Sequence, residues 1–380
     1  MQALIHLSAG RTFRHLLGIS MLLPLLHGRM VAQSFPAGGG SGAGFTLSIV
    51  AWDSLTGDIG VAVQSDLPSS GAFVPSARAG LGAVASQGQP PDAGLASIAL
   101  DLLGKGFDAR QTVESITRSD SGTGNRQLGV VDASGNAFAY TGARCGQFAG
   151  QVSGRGYTVQ ALRVPGEEPV KAAARMFEVT PGDLAERLMA AMESASALLR
   201  NHGQSASLLV VREGVGFGGS GDRLIDIRVD DDSVPVASLK RIYRRWAATV
   251  LPDVRIRSID LFNQKRKFEA AQEEMRRMVS SFNEEIRNRP DDAEVLNRVA
   301  RALATHDIDR ERALELAKRA AALSPGTSYI LDTVAECQYR LGRYDEAVAI
   351  ETELVTREPG NDDYWKQLQK FKEAKQRGGR

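Results

Sequence analysis

The chain is expected to fold as an α+β core followed by an all-helical array, and three features of its 380 residues lead there. Between residues 45 and 232, strand-like and helix-like runs follow one another as strands, helices, strands, helix, strands. That order lacks the regular alternation of a parallel sheet and points to antiparallel sheets with helices gathered on their faces. From about residue 233 the pattern turns helical and charged, and Pro290, Pro325 and Pro359 fall 35 and 34 residues apart, the period of a two-helix repeat. Ahead of both parts stands a basic and apolar leader joined to a glycine-rich tether.

In the leader, Arg11, Arg14 and His15 precede an apolar run over residues 16–26. Such a run has signal-peptide length and is too short to cross a bilayer, which takes ~20 residues. Residues 1–33 are therefore read as a signal peptide, cut near Val31-Ala32-Gln33 or at the rival Ala37, with an uncleaved anchor as the alternative, and residues 34–44 as a flexible tether. The expected location is outside the cytoplasm, in the periplasm or the medium, with no stable membrane span once the leader is removed.

The core, residues 45–232, opens with TLSIVAW (46–52), a strand rich in β-branched residues. DSLTG (53–57) supplies turn chemistry, and IGVAV (59–63) completes a hairpin. A third apolar run covers 81–86. Helical spacing follows over 93–103 and 109–116. QLGVV (127–131), the turn DASGN (132–136) and residues 137–141 read as another hairpin, with Asp132 as an Asx-type turn residue. Leu184, Leu188, Met192 and Ala195 give an amphipathic helix within 181–199. Residues 205–211 and 224–229 read as strands, with the glycine run 214–221 as the loop between them rather than a phosphate cradle, since no helix or Gly-Lys-Ser/Thr end follows.

Composition narrows the function classes. A net charge of +1 offers no global basic field for nucleic acid. Cys145 and Cys337 fall in separate parts of the chain without C-x-x-C spacing, so neither a disulfide, a zinc site nor a redox motif is expected. Only His202 and His306 lie beyond the leader, too few for a histidine metal site or a ready Ser-His-Asp triad. No metal and no cofactor are expected.

Several segments together resemble the family called domain of unknown function 1028. They are SIVAWD (48–53), TGDIGVAVQS (56–65), GAFVPSARAGLGAVASQ (71–87), RQLGVVD (126–132), TGARC (141–145) and RLIDIRVDD (223–231). The resemblance spans Phe45 to about Trp246. It implies an N-terminal-nucleophile hydrolase-like fold, a four-layer αββα sandwich. It also implies a chemistry in which the side chain of the first mature residue attacks an amide and its own α-amine serves as base. Carried onto this chain, the catalytic group would be Thr46 with Ser65 and Asp66 beside it, and Gln87, Arg126 and Gln127 would hold substrate. Thr46 becomes N-terminal only if the chain is cut after Phe45. The chain departs from the family pattern in placing Asp66 where a basic residue often follows the VAVQS-like strand. It also reads Leu199-Arg200-Asn201-His202-Gly203 in place of an Asp-Arg-Gly loop, and Ala161-Leu162 in place of Gly-Asn. Two functions stay open: an exported amide hydrolase, or a binding or scaffold protein that keeps the fold without the site. In the second case Thr46 merely opens a strand, Ser65-Asp66 cap its partner, Gln87, Arg126 and Gln127 satisfy buried backbone groups, and Cys145 is a core residue.

The C-terminal part is similar to the tetratricopeptide repeat. Leu296, Val299 and Ala300 correspond to Leu331, Val334 and Ala335, Ala313 corresponds to Ala347, and LGRYDEA (341–347) matches the turn and second-helix opening. Two units are read over 290–359, the first carrying an extra residue around 306–310, and 360–380 caps the stack. Residues 233–289 link core and repeats, with 257–290 either a degenerate unit or one long helix. On the linking helices, Ile242, Trp246 and Val250 share a face that leaves the cations Lys240, Arg241, Arg244 and Arg245 solvated. Phe268, Ala271, Met275, Met278 and Phe282 form a core stripe. The repeats are expected to bind a peptide or protein partner, or to serve as a stabilising or dimerising appendage. Self-association is left open.

Overall fold

The computed structural model describes residues 44–88, 92–146, 148–199, 203–215 and 222–378. The leader, the tether up to residue 43, His202 and most of the glycine run lie outside the described residues. In chain order the core holds β1 (Thr46–Trp52), β2 (Ile59–Ser65), β3 (Pro75–Arg78), β4 (Gly82–Gly88), α1 (Ala93–Gly104), α2 (Ala109–Ser119), β5 (Arg126–Asp132), β6 (Ala137–Thr141), β7 (Gly150–Gly154), β8 (Tyr157–Leu162), α3 (Glu168–Val179), α4 (Leu184–Ser196), β9 (Ser205–Val211) and β10 (Arg223–Val229). The strands form a six-stranded sheet ordered β10-β9-β2-β1-β8-β7 and a four-stranded sheet ordered β3-β4-β5-β6, with every neighbouring pair antiparallel.

The N-terminal hairpin follows from its turn. The Asp53 carboxylate accepts the Leu55 and Thr56 N–H groups, both at 2.9 Å, and Gly57 takes φ +82°. This sets Trp52 opposite Ile59 and Thr46 opposite Ser65. Because side chains alternate across a strand, each sheet has two unlike faces. Leu47, Ile49 and Ala51 pack with Leu208 and Val210 against α3 and α4. Val84, Leu128 and Val130 pack against α1 and α2. The remaining faces meet each other through Val50, Ile59, Val61, Val63, Ala83, Ala85, Val131, Leu209 and Val211.

The helix expected within 181–199 begins at Leu184, because Asp183 caps it. The Asp183 carboxylate accepts the Glu186 N–H at 3.0 Å, and the Glu186 carboxylate accepts the Asp183 N–H at 2.9 Å. Four elements went unread in the sequence: α3 and the strands β3, β7 and β8.

Eight helices follow: α5 (Pro235–Thr249), α6 (Leu251–Gln264), α7 (Phe268–Asn288), α8 (Ala293–Thr305), α9 (Arg310–Leu323), α10 (Ser328–Arg340), α11 (Tyr344–Arg357) and α12 (Asp362–Gly378). Helices α8/α9 and α10/α11 are the two repeat units. The stretch 257–290 is not one long helix, since a turn at residues 265–267 separates α6 from α7. All three helix pairs turn in the same way. Arg266, Asp307 and Gly342 take φ of +57°, +58° and +74°. In each case the N–H of that residue bonds the carbonyl three residues back, and the next N–H bonds the carbonyl five back, a Schellman-type closure of the helix end. Phe268 departs from its expected stripe: as the first residue of α7 it remains 59% exposed, and the buried stripe runs from Ala271 through Met278 to Phe282.

Core and helices are joined by burial and by charge. Leu239, Tyr243 and Val254 belong to the same apolar cluster as the six-stranded sheet. Beside them Arg212, at the end of β9, donates Nε and Nη2 to the Asp58 carboxylate at 2.6 Å each. Nη2 also reaches Glu274 of α7 at 3.0 Å, and Nη1 reaches the Ser258 hydroxyl of α6 at 2.7 Å. Arg255 of α6 completes the network with Glu274 and Asp183, each at 3.0 Å. Burial alone would weaken the charge on Arg212, but Asp58 and Glu274 outweigh it and hold the guanidinium firmly protonated.

Candidate functional site: a buried hydroxyl and carboxamide layer at Thr46

The faces between the two sheets change character along the strands. One end is the aliphatic cluster around Val50 and Val61. Two residues further along each strand, the same faces carry Thr46 and Ser48 of β1, Ser65 of β2, Gln87 of β4, Gln127 of β5, Gln160 of β8 and Ser205 of β9. None of these is more than 4% exposed. A buried polar group must find a partner or lose ~1–3 kcal/mol, and here the partners are mostly one another. The Ser48 hydroxyl donates to Gln87 Oε1 at 2.8 Å and accepts from Gln160 Nε2 at 2.6 Å. Gln87 Nε2 donates to Gln127 Oε1 at 2.6 Å. Gln127 Nε2 meets Thr141 Oγ1 at 2.8 Å, the Ala161 carbonyl at 3.0 Å and the Gly150 carbonyl at 3.1 Å. Gly129 makes room for this layer, since a Cβ at that position would lie 2.3 Å from Gln160 Oε1.

Thr46 closes the layer at one end. Its hydroxyl lies 2.9 Å from Ser65 Oγ, and Ser65 donates to the Phe45 carbonyl at 3.0 Å. With the Ser65 proton directed there, Thr46 is left to donate to Ser65. The Phe45 carbonyl also accepts the Asp66 N–H at 3.0 Å, and the Asp66 carboxylate accepts the Phe45 N–H at 3.1 Å. Arg163 Nη1 reaches the Gly44 carbonyl at 3.4 Å. These bonds hold Phe45, itself buried, against the end of β2 beside Thr46.

Of the residues expected at a site, the structure brings Thr46, Ser65, Asp66, Gln87 and Gln127 together. Arg126 does not join them. It neighbours Gln127 in β5 and so points to the opposite face, where it bonds Asp120 at 3.2 Å and pairs with Asp92 at 3.5 Å beside the ends of α1 and α2. Cys145 is buried with its thiol donating to the Arg126 carbonyl at 3.1 Å, and burial pushes that thiol above its ordinary range. Asp132 is an Asx turn: its Oδ1 accepts the Ser134 N–H at 2.9 Å and the Asn136 N–H at 3.0 Å. His306 lies in the α8–α9 turn beside Asp260 of α6, away from the layer. Ser48, Gln160 and Thr141 were not singled out from the sequence. Gln160 follows a recognisable Tyr157-Thr158-Val159, but its strand β8 was unread. Among the described residues no set of His, Cys, Asp or Glu side chains is arranged to hold a metal ion, and no helix is long and apolar enough to cross a membrane.

Comparison with known proteins bears on the same region. Residues 46–239 match the model of a family described as a family of unknown function, DUF1028, and the match opens at Thr46. Among solved structures, the crystal structure of protein SPO2555 from Silicibacter pomeroyi, titled as carrying the same family model, is similar with 27% identity and a TM-score of 0.50, over 53% of this chain and 86% of that one. An NMR structure of the second TPR domain of human RPAP3, in complex with an HSP70 peptide, matches with 20% identity and a TM-score of 0.23, over 32% of this chain and 98% of that one. No curated protein matches.

Proposed function

The chain belongs to the DUF1028 family, and from that premise we propose that in this member the family domain is a closed, non-catalytic body and that the protein acts by binding a peptide or protein partner on its helical repeats. One observation carries the reading. Thr46, the first residue of β1, is 4% exposed, with its hydroxyl engaged by Ser65 and with Gln87 and Gln127 engaged by each other. A nucleophile needs a base for its proton and a carbonyl within reach. In a chain that keeps Phe45, the α-amine that would serve as base is tied up in the Phe45–Thr46 peptide bond. The carboxamides that would grip a substrate already grip one another. The three similarly closed helix pairs, by contrast, form the kind of stacked array whose surface is used for partner binding. The basic and apolar leader supports export, so the partner would be met outside the cytoplasm.

A specific observation favours a second reading, an amide hydrolase held as a precursor. The Phe45 carbonyl is polarised by two donors, the Ser65 hydroxyl and the Asp66 N–H, and the Thr46 hydroxyl lies beside it. Cleavage there would free the amine that the first reading finds blocked. N-terminal sequencing and intact-mass measurement of the purified mature protein separate the two. A chain that retains Phe45 while binding its partner upholds the first reading. A chain that begins at Thr46 and releases ammonia or amine from amide substrates, with Thr46→Ala abolishing the release, overturns it.

A further inference from the structure

The six-stranded sheet extends past the edge of the four-stranded one. Beside β3, at the β10 edge of the six-stranded sheet, a cavity of about 240 Å³ opens between β10, β9 and β3. Strand alternation decides what lines it. Ile225 and Ile227 of β10 point to the helices, so Asp226 and Arg228 point into the gap. On β9, Ser207 shares the inward face with Leu209.

Three guanidiniums, Arg78, Arg223 and Arg228, border the cavity against a single lining carboxylate, Asp226. Asp226 is already committed. Its Oδ1 accepts Arg228 Nε at 3.1 Å and its Oδ2 accepts Arg228 Nη2 at 3.2 Å, while Arg223 Nη1 also bonds Oδ2. This side-on clamp fixes the plane of the Arg228 guanidinium and leaves its end-on edge, the Nη1 and Nη2 protons not used by Asp226, without an acceptor among the described residues. A planar fork so held matches the two oxygens of a carboxylate or phosphate. Next to it the Ser207 hydroxyl is 2% exposed and has no hydrogen-bond partner. The loop above is brought down by Gly71, where a Cβ would stand 2.6 Å from Ser207 Cβ and 3.3 Å from Arg228 Cδ. A half-exposed cationic fork, a buried spare hydroxyl and a small cleft open to solvent therefore coincide at one place, between the same two sheets as Thr46, with Ser207 two strands across from β1.

We propose that this cavity binds a small anion bearing a carboxylate or phosphate group. Arg228 takes the anion end-on, Asp226 positions Arg228, and the Ser207 hydroxyl donates the supporting bond. The site is independent of the state of Thr46 and of any partner on the repeats.

The test is isothermal titration calorimetry of the full chain at low ionic strength, with inorganic phosphate and with succinate as the two probes. The expected result is saturable binding of at least one, with a dissociation constant of ~1 mM or tighter. Binding of phosphate alone assigns a phosphate ligand, binding of succinate alone a carboxylate ligand, and binding of both the shared chemistry. Arg228→Met is expected to weaken affinity by ~10-fold or more. Arg155→Met, which removes an equally charged but exposed side chain in the β7–β8 turn, should leave it unchanged. Should Arg228→Met not fold, as read from its thermal unfolding, Ser207→Ala carries the test with an expected loss of several-fold. Failure of both anions to bind the unaltered chain overturns the proposal, as does an equal loss in Arg228→Met and Arg155→Met.

Discussion

Replacing Glu274 by Gln should separate the two halves of the molecule. Glu274 is 1% exposed and accepts two charge-assisted bonds, from Arg212 Nη2 and from Arg255 Nη1, each at 3.0 Å. Its neighbours in the network, Arg212, Asp58, Arg255 and Asp183, have side chains between 2% and 10% exposed. A glutamine keeps the shape but offers one acceptor where there were two, and turns an amide N–H₂ toward a guanidinium. Asp58 and Asp183 still face the two guanidiniums, so what is lost is two charge-assisted bonds rather than all compensation. A hydrogen bond to a charged group contributes ~1.5–3 kcal/mol, so the loss should be ~3 kcal/mol or more. The control lies two residues along the same helix. Arg276 pairs with Glu273 but is 68% exposed, so Arg276→Ala should cost under ~1 kcal/mol. Urea denaturation followed by tryptophan fluorescence reads both effects, since Trp52 reports the core, Trp246 the junction helix and Trp365 the last helix. Glu274→Gln should lower the midpoint strongly and pull apart transitions that coincide in the unaltered chain. A loss within ~1 kcal/mol, with the transitions still together, refutes the view that this network couples the core to the helices.

Three further outcomes follow from individual residues. Glu351 on α11 is fully buried with neither carboxylate oxygen hydrogen-bonded. Burial first, then Asp332 and Glu336 against the opposing Arg301 and Lys370, push its carboxyl up to about 8. A carboxyl whose folded value lies above its unfolded one binds more protons in the folded state, so stability should fall as pH rises from ~4.5 to ~8 and then level off. Glu351→Met should remove that slope and stabilise the helical part at pH 8 by up to a few kcal/mol, measured by thermal unfolding across the window; an unchanged slope contradicts the assignment. Arg266 occupies the left-handed position that Gly342 fills in the second repeat, a conformation costing a non-glycine residue ~1 kcal/mol, so Arg266→Gly should raise the unfolding midpoint modestly. Cys145 and Cys337 are both free and buried, and burial, reinforced by Glu336, pushes the Cys337 thiol to about 12. Neither should react with a thiol-specific chromogenic disulfide at pH 8 until the chain is unfolded, when two equivalents should appear.

The elements legible in the sequence were those whose own residues announce their ends. The β1–β2 hairpin is written in DSLTG, the β5–β6 hairpin in DASGN, and the second repeat in the glycine of LGRYDEA. The elements that went unread share the opposite property. β7 carries Gly150, Gln151 and Gly154, which score poorly as strand formers, and it is held by pairing with β8; β8 begins with the strand formers Tyr157, Thr158 and Val159 but has no turn signal of its own and is placed by pairing with β1. The turn between α6 and α7 hides because Lys265-Arg266-Lys267 carries no glycine, although its backbone closes the helix as Gly342 does. Tertiary packing holds Arg266 in a shape its own chemistry disfavours, and no local pattern reports that.

The candidate site shows the same division at closer range. Thr46, Ser65, Gln87 and Gln127 came from the family resemblance, and in the fold they share the alternation that faces inward between the sheets. The same resemblance grouped Arg126 with Gln127, yet their adjacency within a strand separates them: with a period of two, neighbours in sequence face opposite layers. Asp66 is the residue whose role only the structure makes plain. In sequence it reads as a departure, an acid where the resemblance leads one to expect a base. In the fold its carboxylate holds the N–H of Phe45, the residue that a chain beginning at Thr46 would lack. Asp66→Lys should accordingly loosen the segment ahead of Thr46 and speed proteolysis at Phe45 relative to the rest of the chain, which timed limited proteolysis with mass detection will register. Cleavage at an unchanged rate would mean that the β1–β2 ladder alone, through the Asp66 N–H to the Phe45 carbonyl, keeps the segment in place.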